Sequence, residues 1–201
     1  MQTAVSDSVP RVPVIPGPTE ARLRAYAALL ARWTTRINLI SRADERQIWQ
    51  RHVLDSLRLA ALIPAGMDRA IDLGSGAGLP GLVLAIATGT PFDLIESDRR
   101  KAAFLLEAQR VTAAPVTIHC ARIEQAALAP ARLVTARALA PLPALLGLAA
   151  PLLAEGGVAL FPKGARADAE IEDARKLWQF DLERAGPPES PILLISELRR
   201  G

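Results

Sequence analysis

The run Asp72-Leu73-Gly74-Ser75-Gly76-Ala77-Gly78-Leu79-Pro80-Gly81 concentrates glycine between a carboxylate and a helix-starting proline. Such a loop lets backbone approach a ligand with no side chain between them. Three ligand chemistries compete for it. A triphosphatase-type phosphate loop needs Lys and Ser or Thr after its last glycine, and Leu82-Val83 stand there instead. That reading fails. A dinucleotide fingerprint is matched by Gly76, Gly78 and Gly81, with Glu96 near the spacing of a ribose ligand. Against it, Asp72 would repel a pyrophosphate, and Pro80 removes an amide where phosphate wants donors. S-adenosylmethionine (SAM) carries no phosphate and is cationic at its sulfonium and amino groups, so Asp72 suits it. Gly74, Gly76 and Gly78 then admit its methionine and ribose parts, Glu96 accepts the ribose hydroxyls, and Glu124 borders the adenine. The loop favours SAM, with a dinucleotide as the alternative.

A second polar group is Arg51-His52-Val53-Leu54-Asp55-Ser56. Arg51 and Asp55 are four apart, as are His52 and Ser56, which gathers all four on one side of a helix. A hydrolase triad is excluded, because one helix would carry all three groups and no strained turn presents the serine. Taken alone, the pattern reads as a solvated face with one ion pair. Arg137 follows an apolar run, Leu133 to Ala136, where a cation could meet a target phosphate, a base oxygen or the cofactor. Lys163, in Pro162-Lys163-Gly164, is a candidate phosphate contact. His119 alternates within an apolar strand and reads as structural, and Cys120 reads as a small buried residue.

The elements that must position these groups alternate. Helical spacing starts at Thr19, with Leu23, Tyr26, Ala27, Leu30 and Trp33 on one side. Ser41 and Asp44 suggest a cap for one long helix over 42–62, stopped before Pro64. Strands are expected at Ala70–Leu73, Phe92–Glu96, Val116–Cys120, Leu133–Ala136, Val158–Phe161, Phe180–Ala185 and Pro191–Leu198. Helices are expected from Pro80, from Asp98 to Val111, from Leu142 to Leu153 with Gly156-Gly157 as the stop, and over 166–178. This is an α/β pattern: a mostly parallel seven-stranded sheet covered on both faces. The last two strands have too short a link for a parallel crossover and must be antiparallel. Residues 1–18, with Pro10, Pro13, Pro16 and Pro18, read as a disordered tail; 19–65 form a helical cap; 66–201 form the ligand-binding domain.

Composition excludes several classes. The chain has 201 residues, half of them apolar but only 4% aromatic, so Leu, Ala, Val and Ile must fill the core. One cysteine allows neither an internal disulfide nor a multi-cysteine metal site, and no metal is expected. The start lacks the basic and apolar regions of a signal peptide, and no apolar run approaches the ~20 residues of a membrane span. A cytoplasmic monomer is expected. The net charge of +3, mostly arginine, is compatible with nucleic acid without requiring it.

Taken together, the motifs resemble the bacterial 16S ribosomal RNA guanine-N7 methyltransferases, the glucose-inhibited division protein B family. The pieces are Ile37-Asn38-Leu39, Arg51-His52 with Asp55-Ser56, the loop from Asp72 to Gly81, Arg122 with Glu124, Thr135 with Arg137-Ala138, and Lys163-Gly164. Leu139 stands where that family often has phenylalanine. The resemblance implies a Rossmann-like SAM-dependent methyltransferase fold. It implies SAM contacts at Gly74, Leu79, Ile123, Glu124 and Arg137, with Glu96 near the ribose. It implies methylation of one guanine N7 near the decoding centre of the small ribosomal subunit, with Arg51, His52, Asp55, Ser56 and Lys163 as RNA-side candidates. N7 attack needs no base, so catalysis by placement is expected, with Arg137 and Asp72 as the candidate contributors. A dinucleotide oxidoreductase and a non-catalytic RNA-binding module are the alternatives.

Overall fold

The computed structural model describes residues 10–201 in full and the backbone of residues 5–6. All seven expected strands form: β2 (Ala70–Leu73), β3 (Phe92–Ile95), β4 (Val116–His119), β5 (Ala131–Ala136), β6 (Leu153–Pro162), β7 (Trp178–Ala185) and β8 (Ile192–Arg200). An eighth, two-residue strand, β1 (Val5–Ser6), pairs in parallel with β7. The order across the sheet is β1-β7-β8-β6-β5-β2-β3-β4. Pairs among β2 to β6 are parallel, and β8 runs antiparallel to both neighbours. β2 is flanked by β3 and β5, so the winding reverses there. Ligands of open α/β sheets collect in the crevice beyond such a switch point.

The connecting helices are α3 (Gly81–Thr88), α4 (Arg99–Thr112), α5 (Leu142–Ala149) and α6 (Ala167–Arg175). α4 starts at a true cap: the Asp98 carboxylate accepts from the amides of Arg100 and Lys101. Buried side chains form two clusters on opposite faces of the sheet, one centred on α3 and α4 and one on α5 and α6. α3 is apolar all round because the sheet covers one side and the N-terminal helices the other.

The N-terminal helix α1 (Gly17–Thr34) buries Leu23, Tyr26, Leu29 and Leu30. It docks on α4 through Phe104, which lies 6.3 Å from the Tyr26 ring and 5.8 Å from the Trp33 ring. Arg22 donates to the carbonyls of Thr112 and Ala113, satisfying acceptors that the end of α4 leaves open. The helix begins two residues before Thr19, and Val12 and Ile15 pack on the core, so part of the expected tail is anchored. Residues 1–4 and 7–9 lie outside the described residues.

Four local expectations are corrected. The long helix over 42–62 is broken into a 3-10 helix (Arg42–Gln47), a π-helical turn (Trp49–Leu54), α2 (Asp55–Arg58) and a 3-10 helix (Leu59–Leu62). Ile48 and Val53 are both buried although five apart, a spacing that a π-turn aligns and an α-helix does not. Gly156 and Gly157 do not stop a helix. α5 ends at Ala149, a 3-10 turn covers Ala150–Leu152, and the glycines lie inside β6 where its register against β5 shifts. A Cβ on Gly157 would come within 2.8 Å of the Ala154 carbonyl, so the bulge requires glycine. α6 ends at Arg175 rather than 178, which frees Trp178 to open β7. Cys120 is exposed just past β4, because the chain leaves the sheet at His119.

Candidate functional site

The glycine loop leaves β2 at Leu73 and enters α3 at Gly81. Gly74, Gly76 and Gly78 all have left-handed backbone, with φ of 61°, 55° and 81°. At Gly74 a Cβ would also strike Leu139, 2.6 Å from its Cδ1. At Gly81 a Cβ would lie 2.5 Å from the Asp72 Cβ and 2.8 Å from Oδ2. Asp72 is fully buried beneath the start of α3. Its Oδ1 accepts from the Thr135 hydroxyl at 2.6 Å, a contact prepared by the register that sets Asp72 opposite Thr135. Oδ2 has no partner in good geometry, although the Gly81 amide lies near enough to favour the charge. Burial outweighs these aids and pushes the carboxyl up to about 6.

This arrangement favours a cation over a pyrophosphate. The place a pyrophosphate would take, at the first amides of α3, is filled by the protein's own carboxylate. The loop beside it offers carboxylates and open backbone, a donor set for a cation. Glu96, one residue beyond β3, accepts from the Gly76 amide at 2.8 Å and the Asp98 amide at 2.7 Å. Each oxygen keeps a lone pair for a further donor such as a ribose hydroxyl. Ile123 and Glu124 form a 3-10 turn after β4, with Ile123 half-buried and Glu124 exposed. Leu79 is buried within the loop. The residues expected to hold SAM thus sit at the carboxyl ends of β2, β3, β4 and β5, and their chemistry fits it.

Arg137 extends from the end of β5, and burial lowers the preference of its guanidinium for charge. It hydrogen-bonds Nδ1 of His52, 85 residues earlier. His52 is buried at 5% exposure. Burial, and next the Arg137 charge, push its pKa below the usual histidine value. The expected ion pair of Arg51 with Asp55 does not form. Arg51 instead lies 3.3 Å from Asp44, and Asp55 lies 3.6 Å from Arg58. Ser41 stands at the N-cap of the Arg42–Gln47 turn, but its hydroxyl donates to the Asp44 side chain at 2.6 Å and caps no backbone amide.

Beside the loop lies a cavity of about 520 Å³ whose lining includes Asp55, Ser56, Pro80, Arg137, Leu139 and Lys163. Four of the sequence-predicted residues therefore meet in one chamber: Asp55, Ser56, Arg137 and Lys163. Arg51 and His52 are not part of its wall. The Ser56 hydroxyl is buried with no partner. Lys163 is no free cation: its Nζ donates to Glu170 at 2.8 Å and to the Ala140 carbonyl at 3.0 Å. Glu170 also accepts from the Leu142 amide, so this pair fixes the start of α5. His119 pairs with Asp93 at 2.7 Å, in line with a structural role.

Sequence reasoning missed Tyr26, whose buried hydroxyl donates to the Ala77 carbonyl within the glycine loop. Its being the chain's one tyrosine, set on the buried face of a helix, was the available signal. It also missed Leu139 as the side chain lying over Gly74, for which no local pattern exists.

The sheet order and the glycine loop at its switch point define a Rossmann-like SAM-dependent methyltransferase fold. Solved structures agree. A ribosomal protein L11 methylase from Lactobacillus delbrueckii subsp. bulgaricus aligns with TM-score 0.59 at 18% identity, over 71% of this chain and 78% of that one. A TehB-like SAM-dependent methyltransferase from Corynebacterium glutamicum aligns with TM-score 0.57 at 14% identity, over 88% of this chain and 98% of that one. The family profile described as GidB, rRNA small subunit methyltransferase G, matches residues 19–186, and the chain belongs to that family. The ribosomal RNA small subunit methyltransferase G of Acidiphilium cryptum (strain JF-5) is 58% identical over 185 residues, covering 89% of this chain and 85% of that protein.

Proposed function

We propose that this protein transfers the methyl group of SAM to N7 of a guanine in 16S ribosomal RNA. The observation that carries the reading is the placement of a phosphate-excluding, carboxylate-lined glycine loop beside a chamber walled by Ser56 and Arg137. Family membership supports the RNA substrate. Gly74, Gly76, Gly78, Leu79, Ile123 and Arg137 would hold the cofactor, with Glu96 on its ribose and Glu124 at its adenine. When bound, SAM supplies an electrophilic methyl group.

Guanine N7 presents a lone pair and no proton. The chain therefore has no proton to remove, and its task is to place the base in line. An unstacked guanine can enter the chamber, whose wall includes Ser56 and Arg137. The methylated base carries positive charge, which the buried Asp72 favours as a field rather than as a contact. Glu124 can add to that field from the exposed rim. Arg137 lines the chamber at the tip of β5, where it can steady either ligand. Arg51 and Asp55 are exposed and fit contacts with the RNA around the target. No helix among the described residues is long and apolar enough to cross a membrane.

Two measurements test the reading. Calorimetry should show SAM binding and no NAD binding, with Gly76→Asp abolishing it. Mass spectrometry of 16S RNA should show one 7-methylguanosine that disappears when the protein is deleted. An unmodified site in both strains would refute the RNA assignment.

A further inference from the structure

We infer that His52 is a positioning residue: its neutral imidazole holds the Arg137 guanidinium at the tip of β5, and it is not an RNA contact. The inference rests on the reading that Arg137 stands between cofactor and target. At 5% exposure His52 offers no surface to a phosphate. Among the described residues, the hydrogen bond found for the Arg137 guanidinium goes to His52 Nδ1. A guanidinium only donates, so Nδ1 must carry the lone pair and the ring proton must sit on Nε2. Nε2 points toward Asp44, whose Oδ2 lies 3.9 Å away, while Asp44 is itself held by Ser41 and Arg51. At that distance Nε2 makes no hydrogen bond, so Asp44 acts on the ring through its charge, and the His52–Arg137 bond is what joins the N-terminal segment to the strand tip.

The charges around the imidazole are mixed. Asp44 from the first 3-10 helix and Asp55 from α2 favour protonation, and Arg51 from the π-turn and Arg137 from β5 oppose it. Tyr26 from α1 lies near enough to Arg137 to act on its charge. Burial and Arg137 prevail and keep the ring neutral at physiological pH. A second ring proton would remove the acceptor and set cation against cation. Arg137 would then leave its place, and methyl transfer would fail on the acid side.

The test uses the whole protein with small ribosomal subunits as substrate, assayed from about pH 5 to about pH 8, the range in which histidine titrates. His52→Asn keeps an acceptor that does not titrate, and His52→Phe keeps a ring without one. His52→Phe is expected to lower kcat or SAM affinity about tenfold to a hundredfold, the effect of one hydrogen bond to a charged group, with the KM for RNA unchanged. His52→Asn should restore most of that loss and remove the His52 share of the acid limb, leaving the share set by Asp72, whose carboxyl is pushed up to about 6. A purely structural histidine would leave the limb in place. The inference is overturned if His52→Phe raises only the RNA KM, or if His52→Asn and wild type share the same acid limb. Nitrogen NMR of the unmutated protein gives an answer independent of variant folding, and with two histidines the assignment is simple. An Nε2–H tautomer whose pKa rises in Arg137→Gln is expected; an Nδ1–H tautomer refutes the pairing. Wild-type protein that binds SAM yet shows none of these effects sinks the inference alone, whereas failure to bind SAM sinks the reading beneath it as well.

Discussion

The hydroxyl of Tyr26 donates to the carbonyl of Ala77 at 2.6 Å, tying α1 to the glycine loop. The tyrosine is fully buried, and burial raises its pKa far above the usual range, so the hydroxyl stays a donor at all working pH. Tyr26→Phe removes the donor and leaves a buried carbonyl unpaired. A stability loss of about 1–2 kcal/mol is expected in urea melts. SAM affinity should weaken with it, since the loop loses its tether. Unchanged affinity in calorimetry would show that the loop is rigid without α1.

Gly81→Ala forces a methyl group against the Asp72 carboxylate, with both partners buried and on rigid elements. A loss of about 1–3 kcal/mol is expected, as for other overpacked sites. By contrast, Gly89→Ala meets open space and is strained only by its φ of 75°. Thermal melts of the two variants should rank them in that order.

Asp72 sits in the folded protein with its pKa pushed up to about 6, above its unfolded value. The resulting stabilisation is complete below the ordinary carboxylate value near ~4 and is lost as pH rises through the folded value. At neutral pH the wild type therefore holds an ionised acid in an unfavourable place. Asp72→Asn should be more stable than wild type at pH near ~8, by up to about 3 kcal/mol, and the gap should close near pH ~4. SAM binding should weaken in the same variant, because the field that favours a cation is gone. A variant less stable than wild type at every pH would contradict the burial argument.

Lys163→Met separates a structural from an RNA-binding lysine. It strands Glu170, whose carboxyl is pulled below the usual value by Lys163 and the Leu142 amide against the push of burial. Ionised Glu170 contributes stability above the ordinary glutamate range, and that contribution fades as pH falls through its lowered folded value. A neutral-pH loss of about 1–3 kcal/mol is expected, shrinking in acid. The salt dependence of RNA affinity should not change, because a lysine committed to Glu170 releases no counterion. A shallower salt slope with intact stability would restore Lys163 to the RNA surface.

Much of the fold was legible in the chain. Short apolar runs between helical patterns announced the strands, and Gly74 to Gly81 announced the glycine loop at the end of one of them. The errors were local and share a cause. Gly156-Gly157 looked like a helix stop because glycine punctuates helices and bulges alike, and only the pairing of β6 with β5 distinguishes them. The segment 42–62 looked like one helix because polar spacing of four suits an α-helix; the burial of Ile48 and Val53 imposed a wider turn. Cys120 looked buried because apolarity of the preceding strand says nothing of where the chain leaves the sheet.

The amino-acid order alone pointed to a class of ligand: a carboxylate before the glycines and a proline before the helix bear on the sign of charge the loop tolerates, and both are local properties. It could not determine what the polar groups do. Lys163 is committed to Glu170 and His52 to Arg137 across 85 residues, while Arg51 pairs with Asp44 and stays exposed. Those partnerships arise from strand register and helix docking, which bring distant positions within hydrogen-bond reach. Only the assembled sheet could assign them.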